Sequence, residues 1–127
     1  MMQIKTLSEL ARVFAQEVIH GQPLPCLMSR LGSQLRHDLH AFGVDAQTIE
    51  EEPQRTGIVF LDVWLAGAAE YLAQQHGLSI PAWCLAKWRF LDQPLFISSG
   101  ERAKSLALVE TPSAFRRRNL FCGRSSL

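Results

Sequence analysis

Apolar positions recur at helical spacing through most of this chain. Leu7, Leu10, Ala11, Phe14 and Val18 share one helical face. Thr6, with Glu9 three residues on, forms the two halves of a capping box just ahead of them. This predicts a first helix that stops at Gly21 and Pro23. A second helix is predicted to begin near Pro25. Its apolar stripe is Leu27, Met28, Leu31, Leu35, Leu39 and Phe42; its other face carries Arg30, Gln34, His37 and Asp38; Gly43 is its stop. Residues 44–55 contain consecutive glutamates and Pro53, and read as a connection with room for a short helical turn.

The third helix has the clearest pattern, from Thr56 to His76 with Gly77 as its stop. Between Ile58 and Ala73 the only formal charges are Asp62 and Glu70. A helix apolar on nearly all sides belongs in the middle of a bundle. Ala66, Gly67, Ala68 and Ala69 let neighbours approach closely. A buried Asp62 then requires a partner.

Beyond Gly77, Pro81 marks a short helix to Lys87 that directs Trp83 inward. Pro94 breaks the next segment, and Leu95-Phe96-Ile97 is the best strand candidate. A helix is predicted over Glu101–Val109, with Ala103, Leu106 and Ala107 on one side. Thr111 before Pro112 fits the N-cap of a last short helix through Arg118. The expected fold is all-α: a compact bundle of about five to six helices around the central apolar helix, with residues 1–127 as one domain.

Composition narrows the classes. Hydrophobic residues make up 47% of the chain, enough for a core. Mean hydropathy is +0.02, which fits neither a disordered chain nor a membrane protein. The longest apolar stretch, Ile58 to Ala69, contains Asp62 and is too short to span a bilayer. The first ten residues lack the pattern of a signal peptide, so a cytoplasmic location is expected. Cys26, Cys84 and Cys122 match neither a disulfide framework nor a zinc spacing. The net charge is +1, yet residues 1–63 carry five basic and eight acidic side chains, and residues 64–127 carry eight and four. That asymmetry can orient a partner or hold the two halves together.

Candidate chemistry is sparse. Arg116, Arg117 and Arg118 form the strongest electrostatic feature. Consecutive helical residues fan out by about 100°, so the three cannot face one ligand. A capping or solvated role near a helix C-terminus is the first reading, and contact with an acidic protein surface the second. Trp88 with Arg89 is a second candidate contact, since Trp and Arg anchor interfaces. The remaining aromatics, Trp64, Trp83, Phe90, Phe96, Phe115 and Phe121, read as core. His37 and His40 lack further ligands for a metal, and Ser98-Ser99-Gly100 is too short for a phosphate loop. No metal, cofactor or catalytic set is expected.

Arg30 and His37, with six residues between them, share a helical face. The pair resembles the R-x(4–6)-H motif of HEPN-type ribonucleases, which implies metal-independent RNA cleavage as an alternative function. The arginine would stabilise phosphate charge and the histidine would move a proton.

A wider resemblance rests on H-G-L-S-I-P-A-W from His76 to Trp83, R-F-L-D from Arg89 to Asp92, and T-P-S-A-F-R-R-R-N-L-F from Thr111 to Phe121. The stretch from Tyr71 to Phe121 resembles a helical region of bacterial toxin–antitoxin-locus proteins, where it often follows a helix-turn-helix module. The resemblance implies a noncatalytic, antitoxin-like interaction component. Its partner would be a protein encoded nearby, of which a nucleotidyltransferase-type toxin is one kind. Trp88, Arg89, Arg116, Arg117 and Arg118 are then the first contacts expected, and a homodimer is a further option. The N-terminal part shows no helix-turn-helix signature. With twelve acids against thirteen bases, the isolated chain is expected to bind nucleic acid weakly and nonspecifically at most. A role as a DNA-associated regulator would run through a partner.

Overall fold

The computed structural model describes residues 6–19, 24–97 and 100–123, with backbone alone at 18–19, 24–29 and 31. Among them run six α-helices, two single 3₁₀ turns and two very short strands, the mainly helical architecture that the pattern predicts. Helix α1 spans Leu7–Ile19, and the Thr6 hydroxyl accepts the Glu9 N–H at 3.1 Å as its first cap. Its expected stop at Gly21 and Pro23 lies outside the described residues. Helix α2, Leu24–Phe42, packs on α1 and ends at Gly43, whose φ of 82° is left-handed and whose N–H returns to the Leu39 carbonyl at 2.8 Å. Two assignments on α2 change. Asp38, expected on the polar face, is buried, because positions 35, 38 and 39 share the inward face; its carboxylate accepts from Gln34 Nε2 at 2.9 Å. Phe42 is exposed, so the packed stripe ends at Leu39. The short turn expected within 44–55 is helix α3, Ala46–Glu50, closed by a reciprocal capping box between Asp45 and Thr48.

Helix α4, Val59–His76, is the centre of the fold. It touches α1, α3, both 3₁₀ turns and the C-terminal elements, and its residues from Leu61 to Ala73 are buried save for Trp64 and Tyr71. It begins three residues later than predicted, because the Asp62 carboxylate reaches back over its first turn. Asp62 Oδ1 accepts from both the N–H and the hydroxyl of Thr56 at 2.9 Å, and the Thr56 hydroxyl accepts the Ile58 N–H at 3.1 Å. The partner that a buried Asp62 requires is therefore Thr56, which is held outside the helix. At the other end Gly77 adopts φ 64° and returns its N–H to Ala73.

After α4 the chain makes 3₁₀ turns at Ala82–Leu85 and Lys87–Arg89 in place of one short helix, with Pro81 preceding the first. Trp83 points inward as expected, donating its indole N–H to the Ile49 carbonyl at 3.0 Å. The Leu95–Phe96 strand, β1, pairs in parallel with β2, Leu120–Phe121, and the Phe96 and Phe121 rings stack at 4.9 Å. Between them lie α5, Glu101–Glu110, and α6, Ser113–Arg116. Thr111 is not the cap of α6. It is fully buried, and its hydroxyl accepts the Gly123 N–H at 2.8 Å, pinning the C-terminal strand. Helix α6 also stops before Arg118: residues 117–119 are a turn in which Asn119 takes φ 64° and donates to the Leu91 carbonyl at 2.9 Å. Helix α6 lies so close to α4 that a Cβ on Gly67 would stand 2.5 Å from the Phe115 ring.

Candidate functional site

The arginines singled out from the sequence divide sharply in the structure. Arg89 sits in the second 3₁₀ turn, which aims its side chain at α4, and it is fully buried. It donates to the Asp62 carbonyl and the Pro53 carbonyl, both at 3.0 Å, and reaches Glu52 at 3.5 Å. Its guanidinium lies between the rings of Trp88 (4.0 Å) and Trp83 (4.7 Å). Arg55 covers the Trp88 ring at 4.8 Å. Burial pulls the Arg89 pKa below its ordinary range, while Glu52 raises it. Trp88 and Arg89 thus form a cation–aromatic stack that clasps the 52–55 loop to α4. The expectation that Arg89 meets a partner at the surface is corrected: its terminal nitrogens are taken up by the Asp62 and Pro53 carbonyls in the interior, while Nε stays unpaired among the described residues.

Arg118 is equally buried. It donates to Glu70 Oε1 at 2.9 Å, to the Ala114 carbonyl at 2.7 Å and to the Cys84 carbonyl at 2.8 Å, with the Phe90 ring 4.5 Å away. Arg117, about half exposed, takes the same Glu70 oxygen at 2.8 Å. Arg118 also leaves the set of surface contacts, and its burial lowers its pKa against the raising effect of Glu70. Arg116 is exposed; it donates to the Thr111 carbonyl at 2.7 Å and the Val109 carbonyl at 3.3 Å. It therefore caps the end of α5, where a cation is favoured. The expectation that the three arginines fan apart is corrected: Arg117 and Arg118 converge on one Glu70 oxygen, because residues 117–119 are a turn and not helix, and only Arg116 turns away. The sequence signal that was missed is Glu70, which needs cationic partners in a buried helix as much as Asp62 needs a donor.

Catalytic chemistry finds little support in this arrangement. Arg30 pairs with Glu17 at 3.3 Å, and His37 is exposed. Burial pushes the Cys84 thiol up to about 12 and the Cys122 thiol up to about 11, so neither is a nucleophile at neutral pH. Both are free thiols; the Cys26 side chain and Ser98-Ser99 lie outside the described residues. Among the described residues no group of three or more metal-ligating side chains comes together. No helix among them is long and apolar enough to cross a membrane.

Exposed apolar side chains gather on α5. Only Ala107 of its ten residues is buried; Leu106, expected to pack beside it, is 49% exposed, and Leu108 and Val109 are 51% and 77% exposed. At β1, Leu95 and the following Ile97 are exposed too, while Phe96, which alternates with them, places its ring 5.9 Å from Lys104 of α5. Arg116 stands at the Val109 end. No protein-family model, curated protein or solved structure matches this chain.

Proposed function

We propose that this chain is a noncatalytic, cytoplasmic protein-interaction component, antitoxin-like in kind, that binds the product of a neighbouring gene through the outer face of α5 and β1. The observation that carries this reading is the exposure of Leu106 and Val109, one turn apart on α5, with Leu108 exposed on the helix's other flank and Leu95 and Ile97 exposed at β1. A helix this poorly buried by its own fold gains little from its apolar side chains until a partner covers them. Each side chain fully covered contributes about 1.5–3 kcal/mol. Arg116 at the margin favours a partner whose apolar patch is rimmed by carboxylates. The resemblance of Tyr71–Phe121 to toxin–antitoxin-locus proteins supports the same class, with a nucleotidyltransferase-type toxin as one such partner. Of the contacts expected from the sequence, Arg116 stays in the interface, Arg117 contributes its exposed half, and Trp88 borders solvent beneath Arg55.

Co-expression with each neighbouring gene product, followed by affinity purification, tests the proposal. The expected result is a stable complex that Leu106→Asp with Val109→Asp abolishes without altering the thermal midpoint of the free protein. Arg116→Glu should weaken it by about tenfold. No association with any neighbouring product, or a complex indifferent to the α5 double variant, would overturn the reading. So would RNA cleavage by the wild type that His37→Ala removes.

A further inference from the structure

The contact face leaves the opposite resource of the fold unused: the place where α2 and α4 both end. A cavity of about 90 Å³ opens there, lined by Arg36, Leu39, His40, Val44, Leu72 and His76. Its floor is apolar, with Leu39 and Leu72 buried. Its rim carries Arg36 and His40, one turn apart on α2, and His76, the last residue of α4. No carboxylate lines it. The nearest acids in sequence are turned elsewhere: Asp38 lies on the inward face of α2, and Asp45 accepts from Thr48. None of the three rim side chains joins the ion pairs seen among the described residues.

We propose that this cavity binds a phosphate-class oxyanion, either free or as the terminal group of a larger molecule. Size and donor chemistry agree. At about 90 Å³ the cavity has room for a tetrahedral oxyanion. The Arg36 fork can hold two oxygens, and the two imidazoles supply N–H donors to the others. The apolar floor strengthens each of these attractions by lowering the local dielectric. The ends of α2 and α4 oppose them with partial negative charge. That opposition is blunted, because Gly43 N–H returns to the Leu39 carbonyl and Leu78 N–H to the Ala73 carbonyl, both at 2.8 Å. A metal cation would meet the fixed charge of Arg36 beside only two imidazoles, so the anion is favoured.

The test is a titration followed by the imidazole NMR signals of His40 and His76, with inorganic phosphate, adenosine monophosphate, adenosine and zinc as separate probes. Saturable phosphate binding in the millimolar range is expected, with Arg36→Gln and His40→Gln each weakening it at least tenfold and His37→Gln leaving it unchanged. Both variants replace exposed side chains, and equal thermal midpoints confirm that they fold. Equal affinity for phosphate and the monophosphate identifies the free ion as sufficient; tighter monophosphate binding identifies a terminal phosphate. Either supports the site. Absence of saturation with both, equal binding of adenosine, or a response to zinc alone overturns it. This outcome is independent of the α5 contact face.

Discussion

Glu70→Leu places a test on the buried charge cluster. The substitution keeps the helix and roughly the volume, but removes the counter-charge that Arg118 and Arg117 share at 2.9 and 2.8 Å. Arg117 is about half exposed and loses ~0–1 kcal/mol. Arg118 is wholly buried; it keeps the Ala114 and Cys84 carbonyls but loses its charge partner, which costs about 3–5 kcal/mol. Arg118→Met instead strands those two carbonyls while Glu70 keeps Arg117, a loss of about 2–4 kcal/mol. Summed, the singles approach ~7 kcal/mol, as much as the whole stability of many domains. The double variant removes both buried charges together and should cost only about 3–4 kcal/mol, a coupling of ~3 kcal/mol. Urea unfolding measures this: with a slope of about 1–3 kcal/mol per molar, each single variant loses roughly 2 M of midpoint at constant slope. Additivity of the two singles to within ~0.5 kcal/mol would refute the reasoning, because it would mean that Glu70 and Arg118 do not hold each other in place.

Gly67→Ala should destabilise by about 1–2 kcal/mol in the same assay. Overpacking against Phe115, 2.5 Å from the new Cβ, outweighs a gain of ~1 kcal/mol in helix propensity; a rise in stability would contradict the close α4–α6 approach. Thr111→Val leaves the Gly123 N–H without its acceptor and should cost about 1–2 kcal/mol, with faster hydrogen exchange at that amide; unchanged exchange would remove Thr111 from its pinning role. Alkaline pH should unfold the protein earlier than a thiol-free variant. The folded thiols sit at about 12 for Cys84 and about 11 for Cys122 against an ordinary value of 9.0. Their contribution is therefore intact below pH 9 and is lost as pH rises through the folded values, by about 1.4 kcal/mol per pH unit per thiol. Identical pH profiles for the wild type and a Cys84→Ala, Cys122→Ala variant would disprove it.

What the sequence determined by itself was local. Caps, stops and 3.6-residue periodicity placed α1, α2, α4 and α5 to within a few residues, because glycine stops, Thr6 and apolar spacing act over one or two turns. The absence of a polar face on α4 put it at the centre, since no orientation of such a helix leaves a comfortable surface. Only the tertiary structure decided where the polar side chains went. Thr111 reads as an N-cap from its neighbour Pro112, yet its acceptor serves Gly123 twelve residues away. Arg89 and Arg118 read as surface cations, yet each is drawn inward by groups 27 to 48 residues away, including the Asp62 carbonyl and Glu70. Conversely, Leu106 and Val109 read as ordinary helical residues, and the fold leaves them outside. The reason is range. Periodicity and capping are settled by neighbours in the chain, whereas a buried guanidinium or an uncovered leucine depends on which distant elements arrive beside it.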